Sequence, residues 1–158
     1  AATCAQYWQE YGSDRPVTIT VEPEQCACWY HSLKDRKPTV ISGDIDSFMA
    51  GLACGEVSSL AWEILEPGAH FAMTVEDDAA ACCMRLLADP PFGDPPQIAG
   101  ESGVAGLVGL IAVARNEELR TRTGLNDNST VVVFGTEGAT DPVMYEQIVG
   151  RAPEAVVS

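Results

Sequence analysis

The feature that most constrains the fold is a repeated alternation of short β-branched runs with longer amphipathic stretches. Strand candidates are "VTITV" at 17–21, "KPTVISG" at 37–43, "HFAMTVED" at 70–77, "QIAG" at 97–100 and "TVVVFG" at 130–135. Segments with helical spacing of apolar residues lie between or beside them, for example "DDAAACCMRLLAD" at 77–89. Strands alternating with helices predict an α/β fold, a three-layer αβα arrangement with a mostly parallel sheet.

The other helix candidates complete this pattern along the chain. They are "ATCAQYWQEYG", "EQCACWYHSL", "SLAWEILEPGA", "GVAGLVGLIAVA", "NEELRTRTGL" and "DPVMYEQIVG". The stretch "DIDSFMAGLACG" is interpreted as a loop leading into a helix, and the proline-rich "PPFGDPP" as a surface loop. Because strands and helices continue to alternate after it, we expect this loop to lie inside one domain, and "RAPEAVVS" at 151–158 to be a tail.

Composition excludes several classes of protein. Apolar residues make up 46% of the 158 residues and charged residues 20%, which is typical of a soluble globular protein. The net charge of −14 argues against nucleic acid and anionic membranes as partners. No targeting or membrane segment is recognisable, which predicts a cytoplasmic location. The six cysteines lack zinc-site spacing, so we expect reduced thiols and no metal.

Three polar stretches follow strand candidates: "VEPEQ", "AGESGVAG" and "FGTEGATDP". In open parallel sheets, ligands bind beyond the carboxyl ends of the strands. Polar side chains just past these strands therefore predict a ligand-binding edge, and the segment around Thr136 and Glu137 is its most polar part.

Glycines recur every three residues at Gly100, Gly103, Gly106 and Gly109. A glycine inside a helix costs about 1 kcal/mol, so close approach of another element or of a flat ligand should offset that cost. Tight helix–sheet packing is the favoured explanation for the last two. The spacing does not match a dinucleotide-binding glycine motif, which disfavours a nucleotide-binding fold.

Two other groups of reactive residues have ordinary explanations. Asp44 and Asp46 could be metal ligands or a general base, but a helix N-cap with a first-turn acid is the favoured interpretation. Cys54 has no histidine near it in sequence, so it does not form an evident nucleophile pair.

Four stretches together resemble a known family. "VEPE", "GDIDSFMAGLACGEVSSLAWEIL", "AGESGVAGL" and "FGTEGATDP" are similar to the C-terminal part of the diaminopropionate ammonia-lyases. These belong to the pyridoxal-phosphate enzymes related to threonine deaminase and the tryptophan synthase β chain. The resemblance covers about residues 1–150 and implies the tryptophan synthase β-like fold. It also implies that residues 1–150 are the C-terminal, incomplete portion of the large cofactor domain.

The resemblance also implies a reaction, a cofactor and partners. Such enzymes hold an amino acid on pyridoxal 5'-phosphate, a lysine removes the α-proton, and the β-amino group leaves as ammonia. The products from 2,3-diaminopropionate are pyruvate and ammonia. The implied partners are a small amino-acid substrate and a second copy in a homodimer. A threonine/serine dehydratase-like activity is an alternative within the same class.

The resemblance assigns cofactor-binding positions. Thr136 matches a serine that meets the pyridine nitrogen in relatives, and the adjacent Glu137 competes for that role; Thr136 is favoured. Gly51 matches a glycine that packs along the cofactor ring, although Ala50 replaces the usual aspartate. Glu101, Ser102 and Gly103 match a loop behind the cofactor. Glu22 matches a cation-binding glutamate, but its partner acid is Cys28 here, which argues against a metal.

The family's Schiff-base lysine and its glycine-rich phosphate loop have no counterpart in this chain. Lys34 and Lys37 are the only lysines, and they lie in the charged turn "SLKDRKP", where surface lysines are expected. We therefore expect no catalytic residue here and a partner in the missing N-terminal part of the enzyme, whether the chain is the end of a longer lyase or a cleaved piece. The competing hypothesis from another class is a non-catalytic α/β ligand-binding or interaction domain.

Overall fold

The computed structural model describes residues 1–157 and contains two compact units. The first comprises residues 1–47 and 52–74, and the second comprises residues 48–51 and the chain from Val75 onward. The helix-rich structure with a small parallel sheet agrees with the predicted α/β class.

The first unit contains three α-helices and a two-stranded sheet. Helix α1 is Ala2–Tyr11, strand β1 is Ile19–Pro23, α2 is Cys28–Asp35, α3 is Ser59–Gly68, and β2 is Phe71–Val75, which pairs with β1. Helix α1 ends at Gly12 with φ 56°, a value that favours glycine. It packs against α3 so closely that a Cβ on Gly68 would lie 2.9 Å from Cys4 Sγ.

The second unit contains four α-helices whose ends carry recognisable signals. They are α4, Asp77–Ala88; α5, Ala105–Arg115; α6, Glu117–Thr123; and α7, Pro142–Val149. Asn116 and Asp141 cap α6 and α7 by accepting hydrogen bonds from Leu119 N and Met144 N. Helix α4 contacts both α5 and α7, and the buried side chains of Met84, Val108 and Tyr145 belong to this unit's core.

Three strand predictions are wrong for the described residues. The segments 37–43, 97–100 and 130–135 lie outside every strand. Residue Val40 is 66% exposed, and Val131 to Phe134 are all exposed. A strand is stable only when neighbouring backbone satisfies its N–H and C=O groups, so a correct apolar pattern cannot form one where that neighbour is lacking.

The C-terminal stretch expected as a tail is partly packed. Pro153–Ala155 form a 3-10 turn that contacts α7, and Pro153 and Val156 are buried. Ser158, the last residue of the expected tail, lies outside the described residues. Within residues 1–157, no helix combines the length and the apolar character needed to cross a membrane.

Candidate functional site

Three of the sequence-matched segments meet within the second unit. They are the 48–51 segment, the loop at 100–104 that precedes α5, and the loop at 135–141 that precedes α7. Gly51, Ser102 and Glu137 contact one another directly: a Cβ on Gly51 would lie 2.9 Å from Ser102 Oγ and 3.7 Å from Glu137 Oε1. Segments far apart in sequence thus form one local cluster.

The Glu137 carboxylate organises the loop before α5. Its Oε2 accepts hydrogen bonds from Ser102 N at 2.7 Å and from Gly103 N at 3.2 Å. These amides lie just ahead of the first residue of α5, where N–H groups lack helical partners and a negative charge is favourable. The backbone adds a third link, because Gly100 N donates to Glu137 O at 3.1 Å.

Ser102 joins the third segment to this network. Its Oγ accepts a hydrogen bond from Gly51 N at 2.8 Å, while its own N–H is held by Glu137. The position of Gly51 is further fixed upstream, since Phe48 N donates to Asp77 Oδ2 at 2.8 Å at the start of α4. The sequence carries no sign of this contact, because it identifies residues 77–89 only as a helix candidate.

The glycine spacing is explained by close approach of the chain's own backbone. A Cβ on Gly103 would lie 2.8 Å from Glu137 O, and one on Gly100 would collide with Gly138 O. A Cβ on Gly106 would collide with the Val133 side chain, so this glycine allows a close approach, although Val133 lies outside every strand and the partner is not the expected sheet. The two loops can approach this closely only while these positions lack side chains.

Glu101 is the most buried acid of the cluster, with 4% of its surface exposed. Burial raises the pKa of its carboxyl, and the nearby charges of Glu137 and Asp141 raise that pKa further. The loop therefore carries a carboxyl that holds its proton to higher pH than an ordinary glutamate.

Thr136 lies at the open side of the cluster. Its residue is exposed, and within the described part of the chain it makes no hydrogen bond. A Cβ on Gly138 would meet nothing within 4 Å, and one on Gly135 would meet only Gly103 O, at 3.6 Å. A free hydroxyl beside uncrowded backbone fits the edge of a flat heteroaromatic ring such as pyridoxal phosphate, so the residues present are compatible with that cofactor.

The other residues singled out from the sequence lie in the first unit. The buried Glu22 carboxylate accepts hydrogen bonds from Trp29 N and Tyr30 N, so it caps α2, and Cys28 Sγ donates to it at 3.8 Å. Burial, Glu22 and Cys54 raise the pKa of the Cys28 thiol to about 12. Among the described residues, no group of three or more potential ligands is arranged to hold a metal.

The first unit also contains the two lysines and the paired acids, namely Lys34, Lys37, Asp44 and Asp46. Both lysines are exposed, Lys34 in the last turn of α2 and Lys37 beyond it. Asp44 Oδ1 accepts a hydrogen bond from Asp46 N at 3.2 Å. The favoured interpretation of a helix N-cap is therefore wrong. Asp44 does accept a backbone hydrogen bond, as a cap would, but it stabilises a local turn and no α-helix begins there.

Comparison with known proteins gives a consistent set of relatives. Residues 1–137 match a family model described as pyridoxal-phosphate dependent enzyme. Diaminopropionate ammonia-lyase of Escherichia coli (strain K12) is 39% identical over 149 residues, which are 92% of this chain and 37% of that protein. The corresponding enzyme of Salmonella typhimurium (strain LT2) is 40% identical over 147 residues, 89% of this chain and 36% of that enzyme.

The fold comparison agrees. The crystal structure of selenomethionine-labelled holo diaminopropionate ammonia-lyase from Escherichia coli superposes with a TM-score of 0.80 at 35% identity, covering 96% of this chain and 38% of that one. The chain therefore spans a little over a third of the length of these relatives. With the family match extending over residues 1–137, the chain belongs to the pyridoxal-phosphate dependent enzymes of the tryptophan synthase β-like fold.

Proposed function

We propose that this chain is the C-terminal part of a pyridoxal-phosphate dependent ammonia-lyase that performs α,β-elimination on 2,3-diaminopropionate, giving pyruvate and ammonia. The observation that carries the proposal is the joining of Gly51, Ser102 and Glu137 in one hydrogen-bonded cluster, because these residues come from three separately matched segments. The 39% identity to diaminopropionate ammonia-lyase supports the choice of reaction.

In the proposed site, the Thr136 hydroxyl would donate a hydrogen bond to the unprotonated pyridine nitrogen. The hydrogen bonds of the two side chains favour Thr136 over Glu137. The Glu137 Oε2 already accepts hydrogen bonds from two backbone amides, whereas the Thr136 hydroxyl has no hydrogen-bond partner within the described residues. A neutral hydroxyl does not force protonation of the ring nitrogen as a carboxylate would.

Gly51 and the Ser102–Gly103 backbone would bound the cofactor ring. A bound cofactor would supply the electron sink of the elimination. The proposed contribution of this chain is to bind the cofactor ring, to orient it and to exclude water from it. The raised pKa of Glu101 keeps one carboxyl of this loop protonated over a wider range of pH.

The lysine and the phosphate-binding loop are proposed to belong to the rest of the enzyme. Two observations support this division: the only lysines, Lys34 and Lys37, are exposed in the first unit, and the chain spans 37% of the Escherichia coli relative. A homodimer and a cytoplasmic location are part of the same proposal.

Complementation tests the proposal. The chain is combined with the remaining part of the enzyme and pyridoxal phosphate, and ammonia and pyruvate are measured from diaminopropionate, serine and threonine. We expect both products from diaminopropionate and no cofactor absorbance change with the chain alone. Turnover only of serine or threonine would replace the substrate assignment by a dehydratase. Absence of cofactor binding in the combined protein would favour a non-catalytic interaction domain.

A variant pair tests the assignment of Thr136. Thr136→Ala should weaken pyridoxal phosphate binding by the combined protein about tenfold, the equivalent of one hydrogen bond. Thr140→Ala, an exposed threonine of the same loop, is the matched control and should leave affinity unchanged. If Glu137→Gln alone changes the cofactor spectrum, the pyridine nitrogen meets the carboxylate instead.

A further inference from the structure

The segment 48–51, which contains Gly51 of the candidate site, has little regular structure of its own. It leads into the 3-10 turn Ala50–Leu52, and its local backbone bond, from Ala50 N to Phe48 O at 2.8 Å, spans only two residues. So small a turn fixes the conformation of few residues. The position of Gly51 therefore depends on contacts with other parts of its unit.

Two side chains hold this segment, one near each end. Upstream, Phe48 N donates a hydrogen bond to Asp77 Oδ2 at 2.8 Å. Downstream, Gly51 N donates to Ser102 Oγ at 2.8 Å. Between these two points the side chain of Met49 is fully buried, whereas Gly51 is exposed. A short segment that is attached at one point can still pivot, but attachment at two points fixes its orientation. The two bonds together therefore determine which way the backbone at Gly51 faces.

Asp77 differs from an ordinary acid in the first turn of a helix. It is the first residue of α4 and is followed by Asp78, and both negative charges suit the helix dipole. Asp78 is exposed, whereas Asp77 is half-buried and its carboxylate reaches the amide of a residue 29 positions earlier. An interaction with the dipole requires no such partner. The bond to Phe48 is therefore a specific tether, and within the described residues Asp77 makes it.

We propose that Asp77 is a positioning residue for the cofactor: acting through the amide of Phe48, its carboxylate fixes the 48–51 segment so that the backbone at Gly51 can lie along the cofactor ring. The proposal rests on the proposed function, because that function assigns Gly51 to the ring. A tethered segment is already ordered before the ring binds, so less free energy is lost on binding. Reciprocally, a bound ring must stabilise the tethered state by the same factor.

Cofactor affinity tests the positioning role. In the combined protein, Asp77→Ala should weaken pyridoxal phosphate binding about tenfold, because the segment must then be ordered as the ring binds. Asp77→Asn retains an oxygen that can accept from Phe48 N and should restore most of the affinity. Asp78→Ala removes the same charge from the same helix turn without removing the tether, so it is the matched control and should bind like the parent. Equal affinity of Asp77→Ala and Asp78→Ala would overturn the proposal.

Hydrogen exchange in the unsubstituted combined protein tests the same coupling without any variant. Adding pyridoxal phosphate should slow exchange of the Phe48 amide about tenfold, the factor by which the tether favours binding. The Leu119 amide, which Asn116 Oδ1 holds at the start of α6, is the control and should not respond. A Phe48 amide that exchanges equally fast with and without the cofactor would contradict the coupling. Equal slowing of both amides would show a general tightening of the unit and would contradict it as well.

These measurements separate failure of this inference from failure of the proposed function. Release of ammonia and pyruvate together with parent-like cofactor affinity in Asp77→Ala would overturn the role of Asp77 and leave the ammonia-lyase standing. A parent combined protein that binds no pyridoxal phosphate would overturn both. If circular dichroism shows that Asp77→Ala does not fold while Asp78→Ala does, the response of the Phe48 amide in the parent protein decides.

Discussion

Replacing Glu137 with alanine should detach the loop before α5 from the loop before α7. The Glu137 Oε2 accepts two backbone hydrogen bonds, from Ser102 N at 2.7 Å and Gly103 N at 3.2 Å. Alanine leaves both amides without this partner. Ser102 also accepts a hydrogen bond from Gly51 N through its hydroxyl. We therefore expect the contact between Ser102 and Gly51 to loosen once the Ser102 amide is released.

The expected cost follows from the geometry. A hydrogen bond to a charged acceptor contributes about 1.5–3 kcal/mol, but Glu137 is only half-buried, so water replaces part of each bond. The longer bond to Gly103 N contributes the smaller share. Repulsion between Glu137 and the buried Glu101 is relieved in the variant, which offsets part of the loss. The net loss is about 2 kcal/mol, roughly a thirtyfold shift in the local opening equilibrium.

Hydrogen exchange of individual amides measures this opening. In Glu137→Ala, the amides of Ser102 and Gly103 should exchange about thirtyfold faster, under conditions where exchange follows the opening equilibrium. Glu137→Gln keeps one neutral acceptor, so the exchange rates of the two amides in this variant should lie between those of Glu137→Ala and those of the parent. Glu146→Ala, an exposed acid on α7, is the control for loss of charge. Parent-like exchange of both amides in Glu137→Ala would refute the organising role of this carboxylate.

Three further predictions follow from the described contacts. Gly103→Ala should lower the free energy of urea unfolding by about 2 kcal/mol, because its Cβ would lie 2.8 Å from the Glu137 carbonyl oxygen, whereas Gly138→Ala, where a Cβ meets nothing within 4 Å, should change it little. Because the pKa of Glu101 is raised, this carboxyl contributes stability below its unfolded pKa of 4.5, and that contribution is lost as pH rises through its folded pKa. Glu101→Gln should therefore flatten part of the decline in unfolding free energy that is measured over that range. Glu22, whose pKa is also raised, should account for another part of the decline. Iodoacetamide should modify the exposed Cys82 of the native chain well before its neighbour Cys83, which is buried and whose pKa burial raises to about 11, and equal labelling in a peptide mass map would contradict the burial of Cys83.

Helix ends were the part of the fold most accessible from the sequence. Asp141 followed by Pro142 predicted the start of α7, and the structure adds the hydrogen bond from Met144 N that makes it a cap. Gly12 predicted the end of α1 in the same way. These signals act within a few residues, so they are readable without knowledge of the rest of the molecule.

Strands were less accessible, because a strand depends on a neighbour that the local pattern does not contain. "TVVVFG" has the composition of a buried strand, yet residues 130–135 have neither a backbone partner nor cover for Val132 and Phe134. By contrast, "HFAMTVED" formed β2, since β1 is present to pair with it. The two runs differ in whether a neighbouring strand is present, and their own residues do not encode that.

Part of the candidate site was readable and part was not. The resemblance selected Gly51, Ser102 and Glu137, and these three residues are in contact. The role of Glu137 toward the backbone was not readable, because a carboxylate in a polar loop has many potential partners. Only the position of the Ser102 and Gly103 amides shows which partner it has. Whether Thr136 meets a pyridine nitrogen stays a prediction.

The cluster also constrains the order in which this region acquires structure. The bond between Gly51 and Ser102 joins residues 51 positions apart, and that between Ser102 and Glu137 joins residues 35 apart. The backbone hydrogen bonds within each of the helices α4 to α7 are short-range, so the individual helices can form early, whereas the cluster must await closure of two long loops. During synthesis, Gly51 leaves the ribosome long before Glu137 does. The cluster is therefore expected to form after the individual helices of its unit and to be lost before them on unfolding.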